Sequence, residues 1–429
     1  MSDVLARAAY SLLLRAATPA YLARLWWRGA KEPGYRRHLR ERLGFFEGEP
    51  PAGRLWLHAV SLGETRAAEP LIDALRAQRP GLKLLLTHGT ATGRAAGRSL
   101  LREGDAQAWL PWDTPGAVRR FLATHRPVAG VLLETEVWPN LLHEAESAGV
   151  PMVLANARLS ARSFDKGRRL RALMHPALAR FSAVLAQTPA DAERLHASGA
   201  RMLQALGNLK FDMSPQPELL ARGRRWRAAL GRPVVMAAAT REGEEGPLLR
   251  AFADAVNAMA PPLPLLLLVP RHPQRFDEVA VGISAGGFVP SRRSQWAGEP
   301  DELALAADVW LGDSLGEMPA YYAAADAALL GGSFAPLGGQ NLIEAAACGC
   351  PLVMGPHTFN FAQAAEDAQA AGAAERVPDI QAGVRRALAL ALETDASLRA
   401  DRVQRAQAFA EQHRGAAERM AQAVLALLR

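Results

Sequence analysis

The sequence predicts an α/β protein built from two Rossmann-like domains, and three observations carry that expectation. Short apolar runs alternate with helix-forming stretches along most of the chain, the pattern of parallel βαβ units. The alternation is interrupted once, at residues 207–217, and then resumes. Many of the apolar runs end in turns rich in glycine, serine and carboxylates, as strands do where they open onto a ligand crevice. With 429 residues, each domain receives roughly 200, enough for a full hydrophobic core.

The first segment, residues 4–27, is apolar but punctured by Arg7, Arg15 and Arg24, with Pro19 in the middle. Its charge-free run, residues 16–23, is far shorter than the roughly 20 residues that span a bilayer. It also lacks the apolar region and cleavage site of a secretory signal. Tyr21, Trp26 and Trp27 stand beside Arg28, Lys31, Arg36, Arg37, Arg40 and Arg42. Aromatic and basic residues in this mixture suit a helix lying on anionic lipid headgroups. The competing expectation is a helical hairpin that docks its apolar face on the protein itself. Residues 1–42 hold nine Arg or Lys against three acids, nearly all of the net charge of +7. So local a charge argues for a basic anchor and against a nucleic-acid groove along the body. A hydrophobic content of 49% with 22% charged residues excludes a disordered or polytopic chain.

Strands are expected at residues 55–60, 83–87, 127–133, 151–155, 183–186 and 202–206, with a helix over 65–78 after the first. A second series follows at 234–238, 265–269, 309–312, 327–330 and 352–354. One long helix, 398–428, closes the chain. The expected division is a basic amphipathic membrane-associating segment 1–44, an N-terminal Rossmann-like domain 45–212 and a C-terminal one 213–429. The last helix is free to pack back on the N-terminal domain. Cys348 and Cys350 lie too close together to staple a fold of this size, which points to a reducing compartment. No further cysteine completes a metal site with them.

Residues 331–361, GGSFAPLGGQNLIEAAACGCPLVMGPHTFNF, form the most informative stretch. A buried strand stops at two glycines and a serine, and the chain re-enters a helix with Asn341 as its N-cap. Glycines at such a turn let backbone approach a ligand, and the helix start offers N–H groups to an anion. Glu344, in the first turn, suits the hydroxyls of a nucleotide ribose. Other polar clusters end strands elsewhere: Ser61 to Glu64, Glu134 with Glu136, Asn156 with Arg158, residues 241–245, Arg271 with His272, and residues 312–317. Singly each is weak, since a glutamate opening a helix, such as Glu64 or Glu317, also serves the helix dipole. Together they resemble the GT-B glycosyltransferase arrangement, in which two Rossmann-like domains face each other across a cleft, one taking the acceptor and the other the sugar nucleotide.

The motifs resemble one family closely. SLGE at 61–64, ETEVWPN at 134–140, ANARLSAR at 155–162, GNLKFD at 207–212, VPRHPQR at 269–275, GDSLGE at 312–317, GGS at 331–333, NLIE at 341–344 and GPHTFNF at 355–361 resemble the Kdo transferases. Those enzymes move 3-deoxy-D-manno-oct-2-ulosonic acid (Kdo) from CMP-Kdo to the lipid A precursor (lipid IV-A) in lipopolysaccharide synthesis. Gln340 and the Cys348-Gly349-Cys350 run depart from the family at loosely constrained positions. The resemblance implies that Glu64 is the catalytic base and that Glu134 and Lys210 stabilise the transition state. It further implies that Pro270, Arg271, Leu315, Gly316, Glu317, Asn341, Leu342, Ile343 and Glu344 hold CMP. Inverting transfer without cofactor or metal is expected, at the cytoplasmic face of the bacterial inner membrane, with no nucleic-acid partner. The alternatives left open are another GT-B enzyme using a UDP-sugar, a nucleotide-sugar epimerase, and a basic surface-binding protein without catalysis.

Overall fold

The structure is a computed structural model and describes residues 3–48, 52–212 and 214–428. It divides into two compact units, one holding the residues up to 213 with those from Arg414 onward, the other Ser214–His413. Residue 213, where the second domain was expected to begin, lies outside the described residues.

The first unit carries a seven-stranded parallel sheet. Its strands are β1 (Leu55–His58), β2 (Leu84–His88), β3 (Ala106–Trp109), β4 (Ala129–Leu133), β5 (Met152–Ala157), β6 (Ala183–Ala186) and β7 (Leu203–Ala205). They lie in the order β3-β2-β1-β4-β5-β6-β7, so the winding reverses between β1 and β4. Helices cover both faces, which is why β1, β2 and β4 are buried along their whole length. Side-chain alternation splits the core in two: Leu55 and Leu57 pack with Leu71 and Ile72, whereas Trp56 packs with Phe121 and Leu141 on the other face.

In the second unit, β8 (Val234–Thr240), β9 (Leu265–Pro270), β10 (Pro290–Arg292), β11 (Val309–Leu311), β12 (Ala327–Leu330), β13 (Leu352–Met354) and β14 (Ala374–Arg376) form another parallel sheet. Its order is β10-β11-β9-β8-β12-β13-β14, with the reversal between β8 and β12. The strands β3, β10 and β14, which the apolar pattern did not announce, all lie at sheet edges. Their sequences, AQAW, PSR and AER, are short and only partly buried, so no continuous apolar run marks them.

The N-terminal segment is one helix, α1 (Asp3–Lys31), which continues through Pro19. One side of it docks on the first unit. The Tyr10 hydroxyl donates to Asp113 at 2.9 Å, Ser11 Oγ donates to Asn140 at 2.9 Å, and Tyr21 stacks on Trp112 with ring centroids 3.9 Å apart. Asp113 also accepts the backbone N–H groups of Asn140 and Leu141, and burial pushes its carboxyl up to about 7. The opposite side leaves Leu12, Leu13, Trp26 and Trp27 exposed, Trp27 at 82%. The segment therefore docks one face on the protein itself, as the second expectation had it, although as one helix and not a hairpin. Arg42 leaves the solvent-facing basic set: it is buried over the Trp109 ring and donates to the carbonyls of His88, Gly89 and Leu110. Among the described residues no helix is long and apolar enough to cross a membrane.

The expected single helix 398–428 is two, Ala396–Gln412 and Ala416–Ala426. Gly415 breaks it with φ +91°, a left-handed conformation that side chains resist. Asp212 then caps the second piece by accepting from Gly415 N at 2.6 Å and from Ala417 N. That piece belongs to the first unit, although it follows the second in the chain. Met420 and Val424 are fully buried against α2 (Leu62–Gln78). Met420→Ala is expected to destabilise the first unit by about 2–5 kcal/mol, the usual cost of emptying a buried site. Urea unfolding monitored within that unit checks it; a loss under about 0.5 kcal/mol would mean the tail is only an appendage.

Candidate active site

The first unit brings Glu64, Glu134, Glu136 and Lys210 into one cluster at the carboxyl ends of β1 and β4, beside the reversal of strand order. Ser61 caps α2 and Glu64 answers it. Glu64 Oε2 accepts from Val60 N at 2.7 Å, Oε1 accepts from the Ser61 hydroxyl at 3.1 Å, and Ser61 Oγ accepts from Glu64 N. This reciprocal arrangement, a variant of the capping box in which the glutamate reaches the N–H of the residue before the cap, holds the carboxylate at the strand end. Burial raises the Glu64 carboxyl above its ordinary range, and the charge of Glu134 adds to the rise.

Lys210 reaches the cluster through a chain of backbone constraints. The pairing of β5 with β6 shifts register between Leu154 and Ala157, where Asn156 takes φ +53°. Such a bulge re-aims a side chain. Here Asn156 Oδ1 accepts from Leu209 N at 3.1 Å. Asn208 accepts from Lys210 N at 3.0 Å and donates to Gln187 at 3.0 Å. The turn Leu209–Phe211 is thereby pinned, and Lys210 Nζ meets Glu134 Oε1 at 2.9 Å. Glu134 itself has φ +60°, an unfavourable conformation for a residue with a Cβ, and such residues concentrate at functional sites. Glu136 accepts from Trp138 Nε1 at 2.7 Å; burial, followed by the charge of Glu64, pushes its carboxyl up to about 7. The sequence placed Glu136 beside Glu134 without giving it a role, because burial by a distant part of the chain leaves no local mark. Asn156 was likewise visible only as a strand-end residue, and Asn208 only as part of the interruption at 207–217.

In the second unit, the loops after β11, β9, β8 and β12 leave four successive strands of the sheet. Pro270 ends β9 and Arg271 follows, exposed, with its N–H on Thr240 O at 2.9 Å. Burial and the nearby Arg241, Arg271 and Arg275 charges hold the His272 imidazole below its ordinary value, which marks this corner as electropositive. Leu315 is exposed at a loop tip and Gly316 has φ +84°. Glu317 pairs with Arg222 at 2.7 Å and Arg293 at 2.9 Å and accepts from Ser314. Burial alone would raise its carboxyl, but these contacts bring it below the usual range. Asn341 accepts from Ile343 N at 3.2 Å as the cap of the helix Leu342–Ala347. Glu344 lies half-buried in its first turn, while the Leu342 and Ile343 side chains are in the core, so only their backbone can face a ligand.

Gly331 is required by contact: a Cβ there would lie 2.4 Å from Ala239 O, at the second bulge, where Ala239 has φ +54°. Glu244, buried, spans the β8–β12 reversal by accepting from Gly332 N at 2.7 Å and from Phe334 N and Ala335 N at 3.3 Å. It is a positioning residue for the glycine loop that sequence reasoning left inside a generic acidic cluster.

Two doubly wound parallel sheets, each with polar loops at the carboxyl ends of its central strands, define a GT-B-like glycosyltransferase fold. Anabaena HepE in complex with UDP shares it, with a TM-score of 0.60 at 17% identity over 87% of this chain and 99% of that one. Residues 37–213 match the family model described as 3-deoxy-D-manno-octulosonic-acid transferase (kdotransferase). The 3-deoxy-D-manno-octulosonic acid transferase of Bordetella pertussis is 49% identical over 96% of this chain and 97% of its own length. That of Haemophilus influenzae is 36% identical over 82% of each. The chain belongs to the 3-deoxy-D-manno-octulosonic acid transferase family.

The raised carboxyl of Glu136 has a measurable consequence. An unfolded glutamate gives up its proton near 4.5, whereas folded Glu136 holds it to about 7. Between those values the folded state binds more protons, so this group's contribution to stability falls as pH rises. Glu136→Gln should therefore gain stability relative to wild type across that window and show no relative change below it. Denaturant titrations at a series of pH values check this; parallel curves for the two proteins would refute the buried, charge-coupled placement.

Proposed function

We propose that this Kdo transferase takes Kdo from CMP-Kdo and attaches it, with inversion, to the lipid A precursor lipid IV-A at the cytoplasmic face of the bacterial inner membrane. The observation that carries the chemistry is the convergence of Glu64, Glu134, Glu136 and Lys210 at one set of strand ends. Glu64 acts as general base on the acceptor hydroxyl. Its raised basicity suits that work, and each of its oxygens retains a lone pair beyond those used in the capping box. Lys210, held against Glu134, supplies positive charge where negative charge develops as the sugar–phosphate bond breaks. CMP leaves as a stable phosphate anion, so no strong acid is needed. In the second unit, Arg271 and the amide groups opening the helix after Asn341 suit the CMP phosphate, and Glu344 suits the ribose hydroxyls.

Membrane association follows from the same reading, because the acceptor is acylated. The outer face of α1 offers Leu12, Leu13, Trp26 and Trp27 together with Arg15, Arg24 and Lys31, an apolar band edged by cations.

Three experiments test the reading. Glu64→Gln retains a capping-box acceptor, so melting temperature and CMP affinity should stay near wild type while turnover drops roughly 10²–10⁴-fold. In the same assay, with CMP-Kdo generated in situ and products weighed by mass spectrometry, near-normal transfer would remove Glu64 as the base. Arg271→Ala should weaken CMP binding by about 1–3 kcal/mol in calorimetry, and unchanged affinity would move the phosphate elsewhere. For the surface contact, Trp26→Ser with Trp27→Ser should release the protein from anionic vesicles in a sedimentation assay, and full retention would remove the helix as the anchor.

A further inference from the structure

The first unit contains a cavity of about 470 Å³ that borders Glu134 and that the chemistry above does not use. Val137, Leu154, Phe164, Met174, Leu178 and Leu195 line it, and Leu154, Leu178 and Leu195 are no more than 3% exposed. Arg158, Arg168 and Arg171 line it too, but these are exposed, so the cavity is apolar in its depth and cationic at its open side. They belong to a dense basic run. Residues 158–171 contain Arg158, Arg162, Lys166, Arg168, Arg169 and Arg171 against the single acid Asp165. Among the described residues, none of these six cations takes part in an ion pair.

A half-open, largely apolar volume of this size is in the range that binds one small ligand. Three cations without an ion pair at its open side, Arg158, Arg168 and Arg171, select for an anion, and Arg forks match phosphate oxygens in pairs. A neutral apolar compound would leave those charges unused, and a hydrophilic phosphate would leave the interior unfilled. The occupant that satisfies both is an anionic amphiphile. We propose that this cavity receives one acyl chain of the glycolipid acceptor while Arg168 and Arg171 engage a phosphate of the same molecule. The proposal rests on the reading of the first unit as the acceptor domain. Its location explains why Glu134 closes one side of the cavity: a chain held there tethers the acceptor beside the Glu64–Lys210 cluster.

Alkyl phosphates test it by binding alone, without catalysis. Calorimetry on the full-length protein should show affinity tightening about fourfold per methylene from hexyl phosphate upward, then levelling off once the cavity is full. Dodecyl maltoside should bind at least tenfold more weakly than dodecyl phosphate. Met174→Trp, which fills the interior, should weaken dodecyl phosphate binding tenfold or more, and Ser163→Trp at the exposed side should act in the same direction. Arg168→Ala with Arg171→Ala should weaken every alkyl phosphate while leaving the dependence on chain length intact. Melting curves establish that each variant is folded. Purified lipid A precursor should displace dodecyl phosphate, and phosphatidylglycerol should not. A flat dependence on chain length, wild-type affinity in both folded tryptophan variants, or equal displacement by phosphatidylglycerol would overturn the proposal. Loss of Kdo transfer by the wild-type protein would instead count against the functional reading, and the alkyl phosphate titrations would still decide the cavity.

Discussion

A parallel strand pair cannot be joined by a hairpin; each connection must cross over one face of the sheet and return to the same end. Both units of this protein obey that constraint, and nearly everything else follows from it. Helices cover both faces, so the central strands are mostly apolar and the site is left to their ends. Only the carboxyl ends remain, where the chain leaves a strand and enters a helix whose first N–H groups are unsatisfied. Ser61 and Glu64 close one such end, and Asn341 closes another. Where the winding reverses, the two crossovers diverge and a crevice opens. In the first unit Glu64 and Glu134 stand on either side of that reversal, and in the second Glu244 bridges it.

The Lys210–Glu134 pair shows that the strand ends are arranged for more than stability. Its side chains are 36% and 25% exposed, and pairs of that kind contribute about 0–1 kcal/mol. Against this stand a left-handed backbone at Glu134, another at Asn156 and a break in strand register. Strain of that sort costs about 1–3 kcal/mol at each residue, more than the pair returns. Placing an ammonium and three carboxylates together therefore costs folding energy, which is the expected trade at a site organised for charge that develops during a reaction.

Much of this was legible in the sequence, and the gaps have physical causes. Central strands were readable because burial on both faces demands apolar runs, as in Ala129–Leu133 or Leu265–Pro270. The edge strands Ala106–Trp109, Pro290–Arg292 and Ala374–Arg376 face less of the core and left no such run. The break at Gly415 was hidden because Ala-, Arg- and Gln-rich sequence on both sides of it favours helix. It needs Asp212, some two hundred positions earlier, to cap the second piece.

By itself the sequence determined the class of fold, its two series of parallel strands, the strand ends that hold polar residues and the basic, aromatic character of the first helix. These depend on local composition and period, which the chain carries wherever it goes. Tertiary structure alone decided which of those residues meet. It returned residues after Arg414 to the first unit, buried Arg42, turned Leu342 and Ile343 into the core, and raised the carboxyls of Glu64 and Glu136 by excluding water and crowding like charge. Each of those outcomes depends on distance in space between residues far apart in the chain, a quantity that no local pattern records.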